Sequence, residues 1–448
     1  MRHLLALTCL LASPALAQLP EPVAQLPGAG RPVDVEAYRE RRARLSERVG
    51  DGIVLVPAAA RRDMEAHVLQ DGDFRQDDYF FYLTGVETPE AWLLMVAVGG
   101  ATQSATLYLP PTNPHAVRWT GLQLGPGPDA ERLTGIERVA PLDLDSLDRA
   151  VMVATMRSAA PLYTVMYAGT TDNERVRRWM TSGRDVRNVV PLMDSLRVVK
   201  DALGLTALRT AVDITTEAVM AAMRAVRPGM YERQLEAVIE YTFRDRGADR
   251  LGFPSIVGSG PNSVILHYDV NRRQMEAGDL VVMDVGAEYG QYTADVSRTI
   301  PVTGRFTERQ KAIYDLVLGT QQAVIKAVKP GMTVGDLERL ARQYMSEHSG
   351  ALCGPQSCTR HFVHGLSHWL GMRVHDVGDY RMPLEPGMVL TIEPGIYLSD
   401  ENLGVRIEDD ILVTEHGAEV LSAGVPRTTE DIERLIQSAV QPQATGSR

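Results

Sequence analysis

The chain has 448 residues, 44% of them hydrophobic and 23% charged, with 46 Lys+Arg against 57 Asp+Glu and a net charge of −11. That balance excludes disordered and fibrous classes, and the length suggests two or three domains. It also argues against a nucleic-acid partner, which would need a basic face.

Residues 1–17 read as a secretory signal peptide: Arg2 and His3, an apolar run over 4–11, then Ala15-Leu16-Ala17 before Gln18. The expectation is an exported protein, periplasmic or secreted. No later apolar run reaches the ~18 residues of a membrane span, so no membrane partner is expected. Residues 18–34 are rich in Pro, Gly and Ala and read as a flexible leader.

A helix is predicted over 35–49. Strands are predicted over 52–57, 91–98, 105–109, 134–139 and 162–166, with a helix over 144–156. This alternation predicts a mixed α/β (α+β) fold, with a first domain over 35–195. A helix over 203–226 opens a second domain, 196–430, and stops at Pro228-Gly229. Residues 431–448 read as a C-terminal tail. Cys353 and Cys358 flank a Gly-Pro turn. In an exported protein such a pair suits a disulfide, with two free thiols as the alternative.

The second domain contains an internal repeat. Arg227-Pro-Gly-Met230 recurs 102 positions on as Lys329-Pro-Gly-Met332, each followed by an amphipathic stretch with Leu-Glu in place. Glu276-Ala-Gly-Asp-Leu-Val-Val-Met-Asp284 recurs 109 positions on as Glu385-Pro-Gly-Met-Val-Leu-Thr-Ile-Glu393. Two matched blocks in one order predict a duplicated helix-then-hairpin unit.

Each predicted hairpin carries two acids. A turn at Tyr289-Gly290 would set Asp284 opposite Asp295. A turn at Asp400-Glu401 would set Glu393 opposite Glu408. Their strand neighbours are apolar, and paired like charges on a buried sheet are destabilising. Two divalent cations would neutralise the four carboxylates. Five of the ten histidines, including His364, His368 and His375, fall within 348–375, and His267 lies in the first copy. Oxygen-rich ligands with an imidazole favour a hard ion such as Mn²⁺, with zinc or cobalt as substitutes.

These motifs resemble one family. Met283-Asp284-Val-Gly, Thr293-Ala-Asp295-Val-Ser-Arg-Thr, His364-Gly-Leu-Ser-His368-Trp-Leu-Gly, Val374-His375-Asp-Val-Gly, Ile392-Glu393-Pro-Gly and Arg406-Ile-Glu408-Asp-Asp are similar to the pita-bread metallopeptidases. That family includes aminopeptidase P, prolidase, methionine aminopeptidase and creatinase. Asp73-Phe-Arg-Gln76 and Phe80-Phe-Tyr-Leu-Thr-Gly85 resemble the first domain of the aminopeptidase P branch. The resemblance implies an N-terminal creatinase-like domain and a pita-bread catalytic domain with a pseudo-two-fold repeat.

It also implies roles. Asp284, Asp295, His368, Glu393 and Glu408 would bind two ions, with Asp295 and Glu408 bridging and Glu393 accepting the attacking water's proton. His267 and His375 would steady the tetrahedral intermediate. His364, Tyr380 and Arg406 would line the proline pocket, and Tyr397 would stand behind the metal ligands. Trp119 resembles a residue that reaches a neighbouring subunit, and a homo-oligomer, dimer or tetramer, is expected. The implied reaction releases the N-terminal residue from peptides with proline second. The alternatives are a prolidase with the same ligands, in which Arg406 would hold the dipeptide's carboxylate, and a non-catalytic binding protein.

Overall fold

The computed structural model describes residues 34–61, 74–121, 123–158, 160–166 and 174–440. The expected signal peptide, the leader up to residue 33, Asp73 and residues 441–448 lie outside them. Among the described residues no helix is long and apolar enough to cross a membrane.

The N-terminal half is a six-stranded sheet with helices on both faces. Its elements run α1 (Val35–Val49), β1 (Gly52–Pro57), α2 (Asp78–Thr84), β2 (Trp92–Val98), β3 (Ala101–Leu109), α3 (Pro114–Thr120) and α4 (Pro128–Thr134). Then come β4 (Arg138–Pro141), α5 (Leu144–Ser158), β5 (Leu162–Thr164), α6 (Glu174–Thr181), β6 (Val186–Asn188) and α7 (Val190–Arg197). The strand order is β4-β3-β2-β1-β5-β6. The predicted strand over 134–139 is corrected. Pro128 starts a helix there, Gly135 in the left-handed region ends it, and the strand begins only at Arg138. The short α2 is buried on all sides; Asp77 caps it and Gly85 ends it at φ 66°. The assumed domain limit at 195 falls inside α7.

The C-terminal half opens with α8 (Ala202–Ala225), α9 (Glu232–Asp245), β7 (Arg250–Leu251) and β8 (Ile256–Ser259). The first hairpin comprises β9 (Leu280–Val285), β10 (Ala287–Tyr289), β11 (Tyr292–Thr293) and β12 (Val296–Pro301). The second copy follows as α10 (Glu308–Ala327), α11 (Val334–His348), β13 (Val389–Ile392), β14 (Gly395–Leu398), β15 (Leu403–Arg406) and β16 (Asp409–Val413). Finally come β17 (Ala418–Val420) and α12 (Thr429–Val440). The segment read as a tail therefore begins as a helix, docked through buried Ile432 and Ile436.

The duplication is visible bond by bond. Gly229 N donates to Met275 O at 2.8 Å, and Gly331 N donates to Leu384 O at 2.9 Å. Met275 N returns to Met230 O, and Leu384 N to Met332 O. Both Pro-Gly turns place glycine in the left-handed region, at φ 86° and 89°, where a side chain would be strained. Helices α9 and α11 start 102 positions apart, and strands β9 and β13 start 109 apart.

One hairpin register is as expected and the other is not. In the second, Ile392 pairs with Asp409 and Gly395 with Arg406. Glu393 and Glu408 therefore oppose each other in the gap between the two ladders. In the first, the turn falls one residue later, at Gly290-Gln291, both in the left-handed region at φ 63° and 61°. Tyr289 then pairs with Tyr292, and Asp284 faces Ser297, not Asp295. A two-residue hairpin turn of this type needs positive φ at both central positions, and glycine supplies the first without strain. Asp295 becomes a diagonal neighbour of Asp284 on the same face.

One apolar core fills the C-terminal half. A second joins the halves, packing Phe80, Leu83 and Leu208 in one cluster with Leu370, Met372 and Leu412. Cys353 and Cys358 form a disulfide, which excludes the free-thiol alternative. Because it closes a short loop, replacing both by serine should lower unfolding free energy by only about 2 kcal/mol, measured by urea denaturation. A loss well above that would mean the bridge also holds the His364 segment in place.

Candidate metal centre

The two hairpins and the segment 364–370 converge on one cavity of about 470 Å³. Leu370 N donates to Val389 O and Thr391 N to His368 O, so this segment runs antiparallel beside β13. Glu393 N completes the run by donating to Leu366 O. That pairing sets His368 next to Glu393, although 25 positions separate them in the chain.

Nε2 of His368 lies 3.3 Å from Asp295, 3.5 Å from Glu393 and 3.7 Å from Glu408. Its other ring nitrogen contacts Trp369 O at 3.2 Å, which leaves Nε2 free to face the three acids. Burial opposes charge on His368, yet its bonds to Asp295 and Glu408 hold its pKa well above the usual value. Burial, and then the neighbouring Glu408, pushes the carboxyls of Asp295 and Glu393 well above the usual range. Burial and the neighbouring like charges thus disfavour the ionised form of these acids, and a cation would offset that.

The donor set fits divalent metal. Ligand atoms of Asp295, His368 and Glu408 lie within 4.8 Å of one another. Asp284 Oδ1, Asp295 Oδ1 and Glu408 Oε1 are buried without a hydrogen-bond partner. Orphaned acceptors in a buried acid cluster are what a cation would satisfy. Asp284 lines the same cavity, and its second oxygen accepts from Arg406 at 2.7 Å.

His267, His375 and Tyr380 are exposed at the cavity wall, with the His375 ring 4.3 Å from that of His368. Partial burial and the nearby His368 and His267 lower the pKa of His375. Tyr380 stacks on Trp369, its ring inclined by 12°. Arg406 lines the cavity as well, but its guanidinium is buried and already bound. It donates to Asp284, Ser297, Tyr397 and Leu266 O. Tyr397 stands between Arg406 and His364, at 3.0 and 2.9 Å. Burial keeps His364 neutral, its pKa lowered to about 4. Trp119 is 76% exposed and lies outside the cavity.

Several residues of the site carry no separate signal in the sequence. Ser297 donates to Glu408 at 2.7 Å and accepts from Arg406 at 2.9 Å, a place dictated by the corrected register. Asp409 is fully buried and paired to Arg298 at 2.7 Å, directly behind Glu408. Glu232 opens α9 and accepts from Ser259, Asn262, Tyr268 and Arg273, which fixes the loop carrying His267.

Residues 206–415 match the model of metallopeptidase family M24, and residues 38–159 match the aminopeptidase P N-terminal domain. The Xaa-Pro aminopeptidase of Escherichia coli is 34% identical over 436 residues, 90% of this chain and 98% of that protein. The chain belongs to the M24 metallopeptidases, in their aminopeptidase P branch. The Xaa-Pro aminopeptidase of Haemophilus influenzae is 34% identical over 386 residues, 81% of this chain and 88% of its own. The structure of zinc-substituted E. coli aminopeptidase P with product superposes with a TM-score of 0.82 at 31% identity, covering 92% of this chain and all of that one. This M24 chain therefore has the expected two-part architecture, a branch-specific first domain before a pita-bread domain.

Ser297→Ala removes the hydroxyl between Glu408 and Arg406. Loss of such support behind a metal ligand should weaken metal affinity roughly 10–100-fold, measured by titration calorimetry with Mn²⁺. Unchanged affinity would show that Ser297 serves the hairpin alone.

Proposed function

We propose that this M24 protein binds two divalent ions, with Mn²⁺ the expected metal, and releases the N-terminal residue from peptides with proline in second place. One observation carries the reading: four acids and His368 converge on a cavity whose sole Lys or Arg, among the described residues, is already bound by Asp284. Asp284, Asp295, His368, Glu393 and Glu408 would hold the ions. When bound, such ions would lower the pKa of a bound water and polarise the scissile carbonyl.

The chain's own groups do the rest. Glu393 accepts the proton of the attacking water and delivers it to the leaving proline nitrogen. His267 and His375, at the wall, donate to the oxygen that gains charge as the tetrahedral intermediate forms. Phe253, Pro254 and Ile256 provide an apolar surface for the proline ring, beside Tyr380 and His364. Arg406 orients Asp284 and, through Tyr397, the neutral His364.

The prolidase alternative needs a cation to hold a dipeptide's free carboxylate, and Arg406 is buried with four of its five N–H donors already engaged and its charge paired to Asp284. This favours longer peptides. The signal-like segment 1–17 and the disulfide support export to an oxidising compartment, periplasmic or secreted. A homo-oligomer, dimer or tetramer, is part of the same proposal, with exposed Trp119 as a candidate contact.

Glu408→Ala should lose bound metal and activity together, by elemental analysis and peptide assay; a fully active variant with two ions would sink the assignment. Glu393→Gln keeps size but loses the basic oxygen, and kcat should fall by ~10²–10⁴-fold. The substrate class is decided by kcat/KM on Xaa-Pro against Xaa-Pro-Yaa-Zaa peptides. Cleavage confined to the dipeptide would make the protein a prolidase.

A further inference from the structure

His375 has little support of its own. It is exposed, and among the described residues its ring contacts His368 without a hydrogen bond. The next residue is held far more firmly. Asp376 is buried and donates its backbone N–H to Trp369 O at 2.9 Å. Its carboxylate accepts from Arg197 at 2.7 Å and from Lys200 at 3.3 Å, both of them buried. A Cβ on Gly371 would lie 2.0 Å from Asp376 Oδ2 and 3.0 Å from Lys200 Cε. The glycine of the His368-Trp-Leu-Gly371 motif therefore leaves the space that the carboxylate fills.

The other side of the same turn is bound by the N-terminal half. Arg75 donates to Met372 O at 2.5 Å and to Asp78 at 2.6 Å. Arg373 donates to the second oxygen of Asp78 at 2.5 Å, and Arg197 lies 3.7 Å from that oxygen. The turn 371–376 is thus tied at Met372 and Arg373 before His375 and at Asp376 immediately after it. Apolar residues often replace a buried ion pair without loss of stability. Stability alone therefore does not account for two cations on one acid, whereas fixing the adjacent imidazole does.

We propose that Asp376, clamped by Arg197 and Lys200, is the positioning residue for His375. Through Arg75 and Asp78 the N-terminal half takes part in the same clamp and so sets turnover at the centre. This rests on the hydrolytic reading above, in which His375 touches the reacting carbonyl. A displacement of about 1 Å in such a group can cost ~10²-fold in rate.

The test uses the full chain loaded with Mn²⁺. Asp376→Asn and Lys200→Met are made singly and again in a His375→Ala background, with kcat, KM, metal per chain and Tm measured for each. Each single change should lower kcat roughly 10–100-fold with metal content unchanged, and should add no further loss once His375 is absent. Losses that multiply in the His375→Ala background, or metal that falls in step with activity, overturn the proposal. Should Asp376→Asn fail to fold, Lys200→Met carries the same test, because Arg197 still binds the carboxylate. A His375→Ala protein as active as the parent would overturn the role of His375 and the clamp with it. An impaired His375→Ala protein with multiplying losses would overturn the clamp alone.

Discussion

Removing four carboxylates from water is the constraint around which the C-terminal half is built. The effective penalty for a buried ion is several kcal/mol, against a typical net stability of 5–15 kcal/mol for a whole domain. Such a cluster persists only with compensation, and the four acids are compensated unequally. Asp284 has Arg406, and Glu408 has Ser297. Among the described residues Asp295 and Glu393 have no Lys or Arg paired to them and share His368, and burial beside Glu408 raises the pKa of both. The uncompensated part of the cluster faces the cavity, where a metal and a substrate can reach it.

The duplication explains how one chain brings so many like charges together. Each copy contributes a pair of acids from a hairpin, and the copies face each other across the cavity. The same two backbone bonds recur at the Pro-Gly turn of each copy, so the helix pair meets its hairpin in one manner twice. Departures from the repeat are where function enters. The segment carrying His368 pairs with β13 as β8 pairs with β9, and at the place of His368 the first copy has Gly258, which offers no side-chain ligand. The first hairpin turns at Gly290-Gln291, which exchanges an Asp–Asp facing pair for an Asp–Ser pair and supplies the hydroxyl behind Glu408.

The two halves are not independent bodies joined by a hinge. A shared apolar cluster runs between them, and a chain of buried charges crosses the same boundary. Arg75 reaches Glu288 at 2.7 Å as well as Asp78, and Arg41 reaches Asp201 at 2.7 Å. The motifs Phe-Arg-Gln76 and Phe80 to Gly85 thereby acquire a physical meaning: the first supplies the charge that crosses, and the second the apolar helix packed beside it.

Much of this was legible in the sequence. Periodicity and turn chemistry marked α1, β1 and α8 to within a residue or two, because each is a local pattern with a local stop signal. The repeat and the opposition of Glu393 to Glu408 could be counted directly, since a hairpin register follows from its turn. The four acids of the centre followed from charge that a buried sheet could not otherwise tolerate, whereas the family resemblance alone singled out His368 from its cluster. Other features were not local. The strand expected at 134–139 begins only at Arg138, because the helix started by Pro128 runs to Thr134 and Gly135 ends it. The place of Asp295 depended on which residue accepted positive φ. The binding of Arg406 by Asp284, the support of Ser297 and the grip of Arg197 and Lys200 on Asp376 join residues up to 179 positions apart. Sequence alone determined which chemical groups this protein owns and which local elements carry them. Tertiary structure decided which charges neutralise one another and which are left for a metal, because that choice depends on distance and burial between segments that no local pattern relates.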